Sequence, residues 1–227
     1  MGRIVESKAS KGSQKWIQIL VNGFPEVFNQ HICRKINLPD SEQITWCSPI
    51  KDDDYSEYRD QDFLDLLDVD LPIIPLEEFW PTGGPVWDGL GKSSSGKIFL
   101  VEAKAHINEI LSSGTGAGTK SKELIDKSLQ QTKQFLNSKS NHDWSSTFYQ
   151  YTNRLAHLYL LRTVNKIPAY LVFLYFVNDT TMKGPRNVDE WEGAIKLLHA
   201  LLGIGRHKLK EYVIDVFIDV NELKGAG

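Results

Sequence analysis

Asp88, Glu102 and Lys104 are the residues of this chain whose types and spacing could do chemistry. Glu102 and Lys104 close the apolar run Ile98-Phe99-Leu100-Val101, with Ala103 between them. Side chains alternate across a strand, so Phe99, Val101, Ala103 and Ala105 share one face. Ile98, Leu100, Glu102, Lys104 and His106 share the other. Residues 80–106 read as a β-hairpin: a turn-rich head (Pro81, Gly83, Gly84, Pro85), a strand over Val86-Trp87-Asp88, a Gly/Ser/Lys loop over 89–97, and the apolar strand. Such a hairpin sets Asp88 beside Glu102 and Lys104. Neighbouring carboxylates raise each other's pKa unless a cation lies between them. Mg²⁺ suits that place, because it takes oxygen ligands and keeps waters and phosphate oxygens. Glu-Ala-Lys is also a good helix-forming triplet, which would put Glu102 and Lys104 on a solvated surface. The strand-type residues ahead of it and the Asp at hairpin distance favour the strand.

An Asp, a loop, and then Glu-x-Lys at the end of an apolar strand resembles the PD-(D/E)xK nuclease superfamily, the restriction-endonuclease-like fold. The matching residues are Asp88, Glu102 and Lys104, about the middle tenth of the chain. Trp87 stands directly before the Asp, and the nearest proline is Pro85. The resemblance implies a mixed central sheet flanked by helices, and one or two Mg²⁺ or Mn²⁺ ions held by Asp88, Glu102 and the Ala103 carbonyl. It implies that Lys104 orients or deprotonates the attacking water. It also implies phosphodiester hydrolysis, most readily of DNA, by a protein that often pairs as a homodimer. Several members of the family place a Gln on a helix behind the sheet, where it orients a metal-bound water or the substrate backbone. Gln150 fits that place, with Arg154 one turn on as a bidentate phosphate ligand. Some members add a carboxylate from an upstream helix, which here would be Glu57. The alternative is a catalytically inactive module of the same fold that binds nucleic acid or a protein partner. An unrelated α/β enzyme with another site would need Asp88 and Glu102 far apart.

The flanking elements must position this site. Residues 14–36 carry a helical apolar face broken near Gly23-Phe24-Pro25. Ile44-Thr45-Trp46-Cys47 reads as a short strand. Residues 107–119 look like a mobile loop; they lack the Lys-Ser/Thr that a Walker-type phosphate loop needs. Residues 121–137 form an amphipathic helix with a Lys/Gln outer face. Residues 144–163 form a second helix, with Gln150, Asn153, Arg154, His157 and Leu161 on one stripe. His157 reads as a core histidine rather than a ligand. Residues 168–179 are a strand buried on both faces. A helix over 189–202 starts at the cap Asp189 and stops at Gly203. A final strand over 213–220 carries Asp215 and Asp219 on one face, read as an exposed strand face or edge. The order fits one α/β domain over residues 1–227.

Composition bounds the rest. The 227 residues are 41% hydrophobic and 24% charged, ordinary for a globular chain. Cys33 and Cys47 match no zinc spacing and read as reduced thiols. No secretory h-region and no membrane-length apolar run are present, so a cytoplasmic protein with no membrane association is expected. The net charge of −3 is unusual for a nucleic-acid enzyme. Residues 52–70, however, hold nine acidic residues and one basic, and the rest of the chain carries 25 basic against 20 acidic. That separation permits a basic working face.

Overall fold

The computed structural model describes residues 2–39 and 42–224. In chain order the elements are β1 (Arg3–Ile4), α1 (Gly12–Gly23), α2 (Pro25–Ile36), β2 (Ile44–Ser48), β3 (Glu57–Tyr58), α3 (Asp60–Leu66), α4 (Leu76–Phe79), β4 (Gly89–Ser93) and β5 (Ile98–Lys104). There follow α5 (Thr119–Phe135), α6 (Tyr149–Leu158), β6 (Ala169–Val177), α7 (Val188–Leu202) and β7 (Val213–Asp219). Five strands form a mixed sheet in the order β2-β4-β5-β6-β7, and β1 pairs with β3 beside it. The β2, β4 and β5 pairings are antiparallel, and those of β5, β6 and β7 are parallel. Parallel neighbours need crossovers; α5 and α6 supply the first and α7 the second. Among the described residues no helix is long and apolar enough to cross a membrane.

A core lies on each face. Helices α1 and α2 cover Phe99, Val101 and Ala103 with Val172, Leu174, Ile214 and Val216. Helices α5, α6 and α7 cover Ile98 and Leu100 with Leu171, Phe173, Tyr175 and Val213. Strand β5 is buried along its whole length. Glu102 and Lys104, in phase with Ile98 and Leu100, therefore face α6.

The hairpin differs from the sequence reading. Its first strand is the glycine-bearing segment Gly89–Ser93, and the turn is confined to the residues just after it. Asp88 sits immediately before the strand, and Trp87 bridges instead to Tyr58. The reason is packing. Trp46 lies across Gly91, where an added Cβ would stand 3.0 Å from its ring, and stacks on Phe28 of α2 with centroids 4.3 Å apart. At Gly89 a Cβ would meet Ile17 at 3.0 Å. Large neighbours take the space that the strand's own side chains leave vacant.

Other boundaries differ for local reasons. Helix α6 begins at Tyr149 rather than residue 144. The carbonyls of Ser145 and Thr147 accept N–H groups of Thr115 (3.0 Å) and Ser112 (2.7 Å), so they are not free for helical bonds. The same bonds tie down the 107–119 segment, which forms a 3₁₀ turn over Ile107–Ile110 and then packs against the start of α6. The helix continues as a π-turn over Tyr159–Val164. Helix α7 is capped by Asn187, whose side chain accepts from Glu190 N–H, rather than by Asp189; Gly203 closes it at φ 67° as expected. Asp215 is half-buried, and Asp219 caps the turn after β7. The break between α1 and α2 falls at Phe24, where Pro25 opens α2.

Valine is a better strand former than glycine, so Gly91→Val is a test of sign. The Trp46 contact predicts destabilisation of about 1–3 kcal/mol, as for overpacking elsewhere. It would be read as a lower urea midpoint at unchanged slope. An equal or higher midpoint would show that Trp46 does not demand the glycine.

Candidate active site

Strand β5 carries Glu102 and Lys104 to its C-terminal end, where β4 has not yet begun. The last residue pair of that ladder is Gly89 with Val101. Beyond it, the Asp88 side chain takes the place of a strand: its Oδ2 accepts the Ala103 N–H at 2.7 Å. The main-chain N–H and C=O of a strand residue point to the same edge, so the Ala103 carbonyl also turns toward Asp88. The sequence-predicted trio thus shares one cleft floor.

Helix α6 closes the site from above. Arg154 Nε donates to Glu102 Oε2 at 2.7 Å, Nη2 to the Val86 carbonyl at 2.7 Å, and Nη1 to Asn153 Oδ1 at 2.9 Å. Lys104 Nζ donates to Glu102 Oε1 and, at 3.1 Å, to Gln150 Oε1. Each oxygen of Glu102 therefore has its own cation. Burial pushes the Glu102 carboxyl's pKa up, but Arg154 and Lys104 outweigh it and hold it below the ordinary value. The polar stripe on α6 faces the sheet. Every nitrogen of Arg154 is engaged within the protein, so the structure makes it the residue that orients Glu102, not an open phosphate clamp. Gln150 is exposed at the cleft wall.

Two other carboxylates behave differently. Asp88 is pushed up to about 7, first by burial and then by Glu102. Glu57 is pushed up to about 8, first by burial and then by Asp88 and Glu6. Neither makes an ion pair among the described residues. Glu57 stands on β3, held by pairing with Ile4 of β1, and not on a helix. Among the described residues no three His, Cys, Asp or Glu side chains form a ready-made metal site.

The cleft above this floor has a volume of about 610 Å³. The turn at Gly83 and Gly84 forms one wall, and Ser112 to Gly114 with Tyr149 form the other. Asp60 holds the first wall by accepting Gly83 N–H at 3.1 Å and Gly84 N–H at 2.8 Å. Ser13 and Glu109 line the far end, 3.3 Å apart. No family model, curated protein or solved structure matches this chain. The reading of the site therefore rests on its own geometry. Sequence reasoning misses Ser13, Asp60 and Glu109, because their partners lie across the fold and no spacing announces them. Asn153 is visible as a member of the α6 stripe.

His157 packs between Trp80 and Trp87, with ring centroids 4.9 and 5.9 Å away, and its Nδ1 bonds the Asn153 carbonyl at 2.8 Å. Burial lowers its pKa to about 4 from an ordinary 6.5. The folded state keeps this imidazole neutral while the unfolded state takes a proton below 6.5. Stability present above that pH is lost as pH falls toward and through 4.

Two outcomes are expected. Arg154→Met leaves Glu102 buried with one partner, and removing half of a buried pair costs about 3–5 kcal/mol; Arg154→Lys should recover only part, for want of the fork. Denaturant titration measures both, and a loss below about 1 kcal/mol, the ordinary worth of an exposed pair, would contradict the assignment. His157→Gln should decline less steeply in unfolding free energy between pH 6.5 and 4 than the parent. An unchanged slope would place the titration elsewhere.

Proposed function

We propose that this protein is a metal-dependent nuclease of the PD-(D/E)xK type that hydrolyses phosphodiester bonds, with DNA as the favoured substrate. One observation carries the reading: Asp88 bonds the amide of Ala103 and thereby brings both carboxylates and the Lys104 ammonium to one cleft floor. The five-stranded mixed sheet with helices on both faces supports it. So does the site's position where the antiparallel ladder ends, which leaves the Ala103 carbonyl open on that edge.

The donor set fits a hard divalent cation. Asp88, Glu102 and the Ala103 carbonyl would hold Mg²⁺ or Mn²⁺, with water and phosphate oxygens completing the shell. The carboxylates of half-buried Asp88 and buried Glu57, neither of them ion-paired among the described residues, raise each other's energy when charged, and such an ion would offset that repulsion. When bound, the ion polarises the scissile phosphate and lowers the pKa of a bound water. The chain's own residues do the rest. Lys104, steadied by Gln150, holds its ammonium where it can orient the attacking water and counter charge on the phosphate. Arg154 fixes the rotamer of Glu102. The walls at Gly83-Gly84 and Ser112-Gly114 confine the backbone to be cut. A homodimer would place two such sites on two strands.

A second reading, an inactive module of this architecture, has one observation in its favour: both Glu102 oxygens already have cationic partners. Electron paramagnetic titration with Mn²⁺ separates the two, since the inactive module takes up no ion that Asp88→Asn abolishes.

Asp88→Asn, Glu102→Gln and Lys104→Met should each cut Mg²⁺-dependent cleavage of plasmid or oligonucleotide by about 10²-fold or more, the scale of a lost catalytic group. Asp88→Asn should remain folded, because its amide oxygen still accepts the Ala103 N–H. Any of the three cleaving at the parent rate refutes the proposal, as does a parent protein inert with both Mg²⁺ and Mn²⁺.

A further inference from the structure

Two segments that expose cations lie near the Ser13–Glu109 end of the cleft. Residues 7–15 contain Lys8, Lys11 and Lys15 and no acid. Residues 178–186 contain Lys183 and Arg186, with Asp179 as the sole carboxylate. Asp179 is buried and fully used: it accepts Trp16 Nε1 at 2.7 Å on one oxygen and Thr181 N and Oγ1 on the other. Its side chain is buried, so the charges that this segment exposes are those of Lys183 and Arg186.

Neither loop is a loose tail. Buried Gln18 clamps the first onto α1, accepting Ala9 N–H at 2.8 Å and donating to the Ser7 carbonyl at 3.2 Å. Asp179 and Trp16 clamp the second onto the same helix. The loops meet where Gly12 packs on Met182. They also adjoin the site. Gly184 lies so close to Ala105 that an added Cβ would stand 2.2 Å from its carbonyl oxygen, and Ser13 bonds Glu109 in the cleft wall. Lys8, Lys11, Lys183 and Arg186 are exposed, and none is ion-paired among the described residues.

We infer that Lys8, Lys11, Lys183 and Arg186 form an arc that carries the nucleic-acid backbone away from the cleft on the α1 side. The inference rests on the nucleic-acid part of the proposed function. Four exposed cations on two anchored segments, beside a floor of carboxylates, give a polyanionic backbone a basic track next to the cleft. Such contacts are sequence-independent and release counterions, so their signature is salt dependence.

The test measures binding of a fluorescent 20-mer oligonucleotide, single- and double-stranded, without Mg²⁺ across a KCl series. Lys8→Gln/Lys11→Gln/Lys183→Gln/Arg186→Gln should weaken binding by at least about tenfold near 100 mM salt. It should also flatten the slope of log K against log salt by about three to four, roughly one unit for each phosphate no longer neutralised. A control of equal charge, Lys35→Gln/Lys196→Gln/Lys210→Gln/Lys224→Gln, includes no cleft-lining residue and should leave the slope near that of the parent. Unchanged affinity in the first variant, equal loss in the control, or a parent with no salt-dependent affinity overturns the arc. A parent that binds the oligonucleotide but fails to cut it in Mg²⁺ refutes the nuclease while the arc stands.

Discussion

Glu102 is a carboxylate only 2% exposed, at the end of the strand where the antiparallel and parallel halves of the sheet meet. A lone charge there would be untenable: the cost of desolvating it exceeds the worth of most single interactions in a protein. Lys104 from its own strand and Arg154 from α6 therefore converge on it. Much of the local architecture follows from that demand. Arg154 must lie inward, so the polar stripe of α6 faces the sheet. Its remaining donors must be satisfied, so Val86 and Asn153 supply oxygens. Trp87 covers the guanidinium, 4.8 Å from ring to carbon. The wall of the cleft and the ligand-bearing strand are thus bound through one carboxylate.

The same network separates the three acids of the site by role. Glu102 is charged and held by two cations. Asp88 hydrogen-bonds main chain and repels Glu102. Glu57 approaches from the small β1–β3 pair and makes no ion pair among the described residues. Differences of environment, rather than of residue type, distinguish groups that a sequence writes as equivalents. Helix α1 plays a matching part on the other face of the sheet. Through Gln18 and Trp16 it holds two loops that would otherwise be independent.

What is legible in the sequence is local. The alternation along residues 98–104 places Glu102 and Lys104 on one face, because a two-residue period survives any tertiary context. The helical stripe through Gln150, Asn153, Arg154 and His157 is visible for the same reason, as is the break at Phe24-Pro25. The failures share a cause. Gly89 and Gly91 read as loop residues because their strand role depends on Trp46 and Ile17, which are remote in sequence. Residues 144–148 read as helix because nothing local shows that Ser112 and Thr115 claim their carbonyls. Arg154 reads as a bidentate phosphate ligand because a sequence does not reveal that a buried carboxylate will claim its donors. Asp60 is hidden in an acidic run whose default meaning is solvent.

That acidic run changes meaning once its members are followed individually. Asp53 holds Arg3, Asp60 holds the Gly83-Gly84 turn, and Asp62 accepts the amides of Gly2 and Arg3. Much of the segment's negative charge is mortar between chain segments. The overall charge of −3 therefore describes how the molecule is held together more than what it attracts. An isoelectric point averages over struts and working surfaces alike, and an approaching polyanion samples only the latter.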